Sequence, residues 1–312
     1  MNILVTGGHG FIGKHLVESL VQDGHNVIIF DNLLEQVHGK DYKPPNKGPL
    51  YTNMDVSDLA SWEYVLTRFR PTVIFHLAAE TGTGQSMDDI SRYTSTNILG
   101  TANMLELVNK KEYGVEKVIL ASSRAVYGDN VNDVNFSQFA NPVSVYGLSK
   151  LTQEKLIEIG CKIPYTIFRY QNVYGPGQSI SNPYTGIISI FSERFKNGKS
   201  VDIWDKGAPT RDFIFVKDVV EATKLGLKIL SNYKTYDVGT GESFPIIEIA
   251  EKLKKKINSD CKINVTDFHR DGDVLHAVAE NERLEEDFGW QIKYDLDEGI
   301  DLFVDWFLGE DV

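Results

Sequence analysis

The chain has 312 residues, 42% of them hydrophobic and 24% charged, with a formal net charge of −12. That length suits one large domain or two closely joined ones around a buried core, and the acidic balance argues against non-specific nucleic-acid binding. No apolar run approaches the roughly 20 residues of a membrane span, while two cysteines, Cys161 and Cys261, suit free thiols in a reducing compartment. Residues 2–6 form a candidate strand directly after Met1 rather than a secretory leader, so a cytoplasmic protein is expected.

In chain order, short apolar strands at 2–6, 26–30, 50–54, 72–76, 117–121 and 165–168 alternate with helix-periodic stretches at 11–22, 59–69, 94–108 and 146–159. Alternation of this kind predicts an α/β fold, a doubly wound parallel sheet of the Rossmann type. Ligands of such sheets sit beyond the carboxyl ends of the strands, which points to 7–13, Asp31, Asp55, Ala78-Ala79 and Ser122-Ser123. The second half is less regular. A Gly-, Pro- and Asn-rich stretch at 172–183 reads as a loop. Helices follow at 185–196, 218–229, 245–257, 283–288 and 297–307, with a strand at 213–216. The lysine-rich end of one of them, Lys252 with Lys254, Lys255 and Lys256, reads as a solvated face, and 32–49 as a surface excursion on the adenosine side.

Between the first strand and first helix lies Gly7-x-x-Gly10-x-x-Gly13. Glycine lets the backbone approach a pyrophosphate, and the helix start at Phe11 and Ile12 offers free N–H donors and a favourable dipole. Asp31 ends the second strand about 20 residues on, where a carboxylate can accept bonds from the adenosine ribose and repel the extra phosphate of NADP. The expected cofactor is therefore NAD. Asp55-Val56 reads either as an adenine-edge contact or as a helix cap.

Tyr146 and Lys150 stand four residues apart on one helical face. An ammonium beside a phenol favours phenolate, so Lys150 is expected to lower the Tyr146 pKa. With Ser123 at the end of the fifth strand, the three can bind a carbinol oxygen and take its proton while hydride leaves carbon. Arg211 and Arg270 are candidates for a bidentate, charge-assisted clamp on a diphosphate, and Asn172 offers an amide to the same substrate.

These motifs resemble the extended short-chain dehydrogenase/reductases, in their nucleotide-sugar epimerase/dehydratase branch. The resemblance runs over the whole chain. It rests on the glycine loop, Asp31, Asp55-Val56, His76-Leu77-Ala78-Ala79, Ser122-Ser123-Arg124-Ala125-Val126-Tyr127-Gly128, Tyr146-x-x-x-Lys150, the stretch from Arg169 to Gly177, Arg211-Asp212-Phe213 and Arg270-Asp271-Gly272-Asp273. It implies a catalytic set of Ser123, Tyr146 and Lys150. For NAD it implies the glycine loop with Asp31, Asn32, Asp55 and Val56, then Leu77, Ala78, Ala79, Asn97 and Ser122 from the later strand ends. Thr83, Ser123, Arg124, Asn172, Tyr184, Arg211 and Arg270 are implied for the substrate, a dTDP- or UDP-linked sugar, with no metal.

The branch's 4,6-dehydratases carry an Asp-Glu pair where this chain has Arg124-Ala125, so water elimination is not expected. Arg124, with the segments around Gln36-Val37-His38, Glu80–Met87 and Asn182-Pro183-Tyr184, looks most like 4-epimerases of deoxyhexose nucleotides. Two other readings stand beside epimerisation: an NADH-dependent 4-ketoreductase sharing the same half-reaction, and a non-catalytic NAD-binding scaffold, which the intact Tyr146 and Lys150 disfavour. The expected division is an NAD-binding unit at 1–170, with about 211–240 returning to it, and a smaller C-terminal α/β substrate-binding unit mainly at 171–312. The helices at 94–108 and 146–159 are expected to form a homodimer interface.

Overall fold

The computed structural model describes residues 1–310 apart from 46, 129–139, 181 and 229–233. Six strands arise in the first half: β1 (Asn2–Thr6), β2 (Asn26–Asp31), β3 (Leu50–Asn53), β4 (Val73–His76), β5 (Lys117–Ser123) and β6 (Tyr165–Tyr170). Apart from the exposed edge strand β3, their β-branched and aromatic runs are mostly apolar because helices cover both faces of a parallel sheet. The second half adds β7 (Asn172–Tyr174), β8 (Val201–Ile203), β9 (Thr210–Arg211), β10 (Phe213–Phe215), β11 (Lys234–Val238), β12 (Phe244–Pro245) and β13 (Ile263–Val265).

The main sheet has seven parallel strands in the order β11-β6-β5-β4-β1-β2-β3. Strand order reverses between β1 and β4, the switch point where ligands of doubly wound sheets bind. One face is covered by Leu16, Val17 and Leu20 of helix Phe11–Gln22 together with Val219 and Val220 of helix Val216–Lys224. Trp62, Leu66, Met104, Leu107 and Ile157, from helices Leu59–Phe69, Gly100–Val108 and Val145–Gly160, cover the other. Each such fully buried large apolar side chain contributes on the order of 1.5–3 kcal/mol. A third cluster lies wholly in the second half, joining Phe191, Phe213, Phe215, Leu253, Phe303 and Phe307.

Several elements differ from the sequence reading. The stretch read as a loop from residue 172 opens with β7, which pairs in parallel with β10. The seventh sheet strand, β11, was not anticipated; its mixed sequence Lys-Thr-Tyr-Asp-Val suits an edge position beside β6. The single helix expected at 94–108 is a one-turn α-helix, Ile90–Tyr93, then a π-helical segment, Thr94–Leu99, then Gly100–Val108. The excursion at 32–49 contains the short helix Glu35–His38. The helix expected at 218–229 spans Val216–Lys224, and Ile229 lies outside the described residues. Helix Glu282–Phe288, read as part of the substrate unit, sends Leu284 into the core of the main sheet.

The lysine cluster is not simply solvated. Lys252 pairs with Asp297 at 2.7 Å, and Lys256 pairs with Asp301, tying helix Ile246–Lys256 to the closing helix Leu296–Gly309. Repeated leucine, isoleucine and phenylalanine spacing brings the two helices together through the third cluster, and the lysines fix their rims.

Candidate functional site

The turn after β1 is shaped by its glycines. Gly7 adopts φ 67, a left-handed conformation that side chains disfavour. A Cβ on Gly13 would lie 2.0 Å from the Gly7 carbonyl oxygen, so only glycine allows helix Phe11–Gln22 to start this close to the loop. The helix opens at Gly10 without a side-chain cap, leaving the first-turn N–H groups of Phe11 and Ile12 at a cavity that both residues line. A cradle of backbone donors this tight fits a dinucleotide pyrophosphate.

Asp31 closes the adjacent edge. Its carboxylate accepts the His9 N–H and the Leu33 N–H, both at 2.9 Å, with His38 Nε2 at 3.6 Å. Burial pushes this carboxyl up, but the His38 contact and the two backbone donors hold it below its usual range, keeping it anionic. Asn32 donates to Asp55 at 2.9 Å, and Asp55 also accepts from the Ser57 N–H at 2.8 Å. Asp55 is therefore spent on its own turn, and the helix cap is Asp58, which accepts from the Ala60 and Ser61 N–H groups. Val56, not Asp55, lines the cavity.

After β4, the Leu77 and Ala78 N–H groups donate to Thr6 Oγ1 at 3.1 and 3.0 Å. Thr6 Oγ1 lies 2.9 Å from His76 Nδ1, whose ring reaches Thr101 Oγ1 at 3.1 Å through Nε2. Full burial pushes His76 down to about 3, so it stays neutral and serves as a rigid bracket for the turn Leu77-Ala78-Ala79, which lines the cavity. Asn97 lies behind this wall. Its buried amide accepts the Glu80 N–H at 2.8 Å and donates to the Glu80 carbonyl at 3.1 Å and Ser149 Oγ at 2.8 Å. Its contact with the cofactor, expected from the sequence, is not formed by a cavity-lining side chain; Thr96 lines the cavity instead.

Ser123 ends β5 and caps the following turn, accepting the Ala125 N–H at 3.1 Å. Its hydroxyl is also hydrogen-bonded to the Tyr146 phenol. Helix Val145–Gly160, capped by Ser144, projects Tyr146 and Lys150 into the same cavity. Lys150 Nζ donates to the Ala121 carbonyl at 3.0 Å. Burial pushes the Tyr146 phenol up, opposed by the Ser123 hydrogen bond, and pushes the Lys150 amine down to about 7 against the pull of Glu154. The expected lowering of Tyr146 by Lys150 is not found: burial outweighs any lowering, and Lys150 is not among the groups that act on the phenol here. A lysine that is itself desolvated and turned onto a carbonyl is a weak charge for its neighbour.

Beneath Ser123 lies a supporting network that sequence patterns did not reveal. Ser122 Oγ donates to Glu154 at 2.5 Å, and Arg169 forks onto the same carboxylate at 2.9 and 2.6 Å. Arg169 also donates to the Tyr127 hydroxyl at 2.8 Å, which in turn donates to Asp237. Burial raises the Asp237 carboxyl to about 6. Glu154 sits one turn after Lys150, but its partner Arg169 comes from the next strand, so spacing alone could not pair them.

At the far end of the cavity, Arg211 and Arg270 converge on Asp273, at 2.7 and 2.9 Å. Burial pushes the Asp273 carboxyl up, but the Arg211 and Arg270 guanidiniums pull it down by more, so it stays charged. The Arg270 guanidinium also lies 5.2 Å over the Trp204 ring, and its buried Nε has no protein partner. Asn172 donates to the Asp212 carbonyl at 3.1 Å, and Arg124 to the Gly128 carbonyl at 3.2 Å. Thr83 and the 45% exposed Tyr184 border the opening. One cavity of about 710 Å³ is lined by Gly7, Gly10, Phe11, Ile12, Gly13, Asp31, Asn32, Val56, the 77–79 turn, Ser122, Ser123 and all the expected substrate residues. Asp273, from the Arg270-Asp271-Gly272-Asp273 motif, lines it too, as does Trp204, whose distance in sequence from the other groups concealed it. Among the described residues, no cluster of three or more His, Cys, Asp or Glu is placed to hold a metal.

A family model described as the NAD dependent epimerase/dehydratase family matches residues 3–239. A dTDP-L-rhamnose 4-epimerase from Burkholderia thailandensis is 33% identical, over 99% of this chain and 95% of that protein. The crystal structure of a UDP-glucose 4-epimerase with UDP-glucose from Thermotoga maritima superposes with a TM-score of 0.90 at 33% identity, covering 99% of both chains. A Thermus thermophilus UDP-glucose 4-epimerase complex with NAD superposes with a TM-score of 0.87 at 32% identity, again over 99% of both.

Proposed function

Because the chain belongs to the NAD-dependent epimerase/dehydratase family, we propose that this cavity inverts carbon 4 of a nucleotide-diphosphate sugar through a transient 4-keto sugar. The observation that carries this reading is the cavity itself: a dinucleotide cradle, the Ser123–Tyr146–Lys150 set and an arginine pair share one space. Bound NAD supplies a hydride acceptor and, after reduction, the matching donor. Gly7, Gly10, Phe11, Ile12, Gly13 and Asp31 would hold it.

Tyr146, acting as the phenolate, takes the proton of the sugar's 4-hydroxyl and returns it to the oxygen after the sugar has turned. Ser123 hydrogen-bonds that oxygen on both passes. Its existing bond to Tyr146 opposes the burial that raises the phenol, so it also prepares the base. Lys150, with an amine held near 7, exchanges a proton readily at neutral pH and stands one helical turn from Tyr146. Arg211 and Arg270 hold the diphosphate while the sugar rotates, and Asn172 and Arg124 face the rotating ring.

A dTDP- or UDP-linked sugar is proposed as substrate, with a deoxyhexose favoured by the resemblance of Arg124 and the segments around Gln36, 80–87 and Asn182 to the 4-epimerases of deoxyhexose nucleotides. Such a sugar would serve polysaccharide assembly in the cytoplasm, a setting supported by the free thiols Cys161 and Cys261. The proposed division into units at 1–170 with 211–240, and mainly 171–312, is supported by a third cluster confined to the second half, which Phe213 and Phe215 of the returning segment join to the main sheet's core through Ile214. A homodimer is proposed through the helices bearing Leu99, Leu148 and Ile159, which are exposed by 46%, 53% and 86%. No described helix is long and apolar enough to cross a membrane.

The test incubates the purified protein with UDP- and dTDP-sugars without added NADH. Conversion of one of them to its 4-epimer is expected; stoichiometric consumption of added NADH by a 4-keto sugar, with no epimerisation, would overturn the proposal.

A further inference from the structure

Three segments distant in sequence meet at Gln36. Its residue lies on the short helix Glu35–His38, between Asp31 and the excursion over the adenosine end. Leu34, Val37 and His38 of this segment line the cavity. Gln36 Nε2 donates to Gln85 Oε1 at 2.9 Å and to Asn182 Oδ1 at 3.3 Å. Gln36 Oε1 accepts from Gln85 Nε2 at 3.2 Å and from Arg92 Nη1 at 2.8 Å. Both hydrogens and both lone pairs of one amide are therefore used, the full capacity of a glutamine side chain.

Each partner brings a different wall of the cavity. Gln85 belongs to helix Thr83–Asp88, whose first residue, Thr83, lines the opening. Asn182 anchors the loop of Tyr184, accepting its N–H at 3.0 Å. Arg92 reaches on to Glu80 at 2.7 Å, and Glu80 lines the cavity directly below. A helix of one turn without a side-chain cap has little stability of its own. What keeps Glu35–His38 against the cavity is this polar node together with the His38 contact to Asp31.

We propose that Gln36 is a latch that fastens the adenosine-side segment to the substrate-side loop, closing the cavity over its dinucleotide. The inference rests on the proposed epimerisation, in which the reduced cofactor must stay in place until hydride returns to the sugar. A reductase that exchanges its cofactor each turnover has no use for such a bar. The latch binds the two ends of the cavity to each other rather than to any ligand, so it acts on release and not on chemistry.

The test loads the whole protein with NADH and follows its fluorescence after dilution into excess NAD⁺, with no sugar present. Gln36→Ala is expected to speed release roughly tenfold, the effect of losing several modest hydrogen bonds at once. Asn182→Ala is expected to speed it by a smaller factor. The double variant should release no faster than Gln36→Ala, because both changes open the same latch. Additive acceleration, or release within about twofold of wild type in both single variants, overturns the proposal. If Gln36→Ala does not fold, Asn182→Ala and Gln85→Ala carry the same comparison. A wild-type protein that holds no NADH would fail the cofactor assignment and the latch together. Rapid release in the variants with no epimerisation of any sugar would leave the latch and remove the reaction.

Discussion

The cavity's dinucleotide end is built from backbone: N–H groups at a helix start, a turn held by Thr6 and His76, and an aspartate pinned by two further N–H groups. The opposite end is built from side chains, two arginines fixed by one half-buried aspartate and an aromatic ring. Backbone positions follow from topology, since every parallel strand must end in a turn at the same edge of the sheet. Side-chain clamps depend on residues brought together from distant segments, and they tolerate change more gradually. Substitutions at the two ends should therefore fail in different ways.

The largest effect is expected at the backbone end. Gly13→Ala places a Cβ 2.0 Å from the Gly7 oxygen, a clash that no side-chain adjustment relieves. The variant should purify without nucleotide and show no epimerase activity. Bound NAD is measured by absorbance after denaturation, and a variant that retains a stoichiometric complement would break the claim that backbone geometry makes this end.

Tyr146→Phe comes next. It keeps the ring, the helix and the edge-to-face contact with Tyr93 at 6.3 Å, and removes only the proton-transferring oxygen. Turnover should fall by roughly 10²- to 10⁴-fold, the usual worth of general acid–base catalysis, while bound NAD and thermal stability stay close to wild type. Full turnover in this variant would remove Tyr146 from the chemistry.

At the side-chain end the losses should be smaller and fall on affinity. Arg211→Ala and Arg270→Ala each remove charge-assisted bonds worth about 1.5–3 kcal/mol, so KM for the nucleotide sugar should rise roughly 10- to 100-fold. Asp273→Asn should raise it less, because both guanidiniums keep a hydrogen-bond acceptor while losing its charge. Steady-state kinetics separate these from the Tyr146 variant, whose loss lies in kcat. An arginine variant with kcat lowered and KM unchanged would contradict a clamp.

The same contrast explains what could be read from the residues alone. The glycine loop, Asp31, the 77–79 turn and the Ser123–Tyr146–Lys150 set were legible because strand ends and helical spacing are local properties. Trp204 at the clamp, Glu154 beneath Ser123, and Gln36 at its node gain meaning from partners more than a dozen residues away, so no period or spacing announces them. Asn97 shows the converse. Its position on the helix was legible, but whether its amide faced the cavity or the Glu80 backbone was set by the π-helical turn at Thr94–Leu99, which shifts the helix register by one residue. The edge strand β11 escaped for a related reason: its identity depends on the pairing with β6 more than on its own propensity.

The last expected effect concerns Lys150, and it is read in stability rather than in turnover or affinity. In the folded protein its amine is pushed down to about 7, and in the unfolded chain it titrates near the ordinary lysine value of 10.5. Between those two values the unfolded chain binds more protons than the folded protein. Stability of NAD-free protein should therefore rise with pH through this window, by at most about 1.4 kcal/mol per pH unit. Below pH 7 both states carry the proton, and the full penalty of burying an ammonium persists. Lys150→Met fills the same space without a titrating group and should flatten the rise. The measurement is a series of urea midpoints at pH 7 to 9.5 for both proteins. Equal slopes would show that Lys150 keeps its charge in the fold, and the sequence expectation of an ammonium that lowers Tyr146 would then be restored.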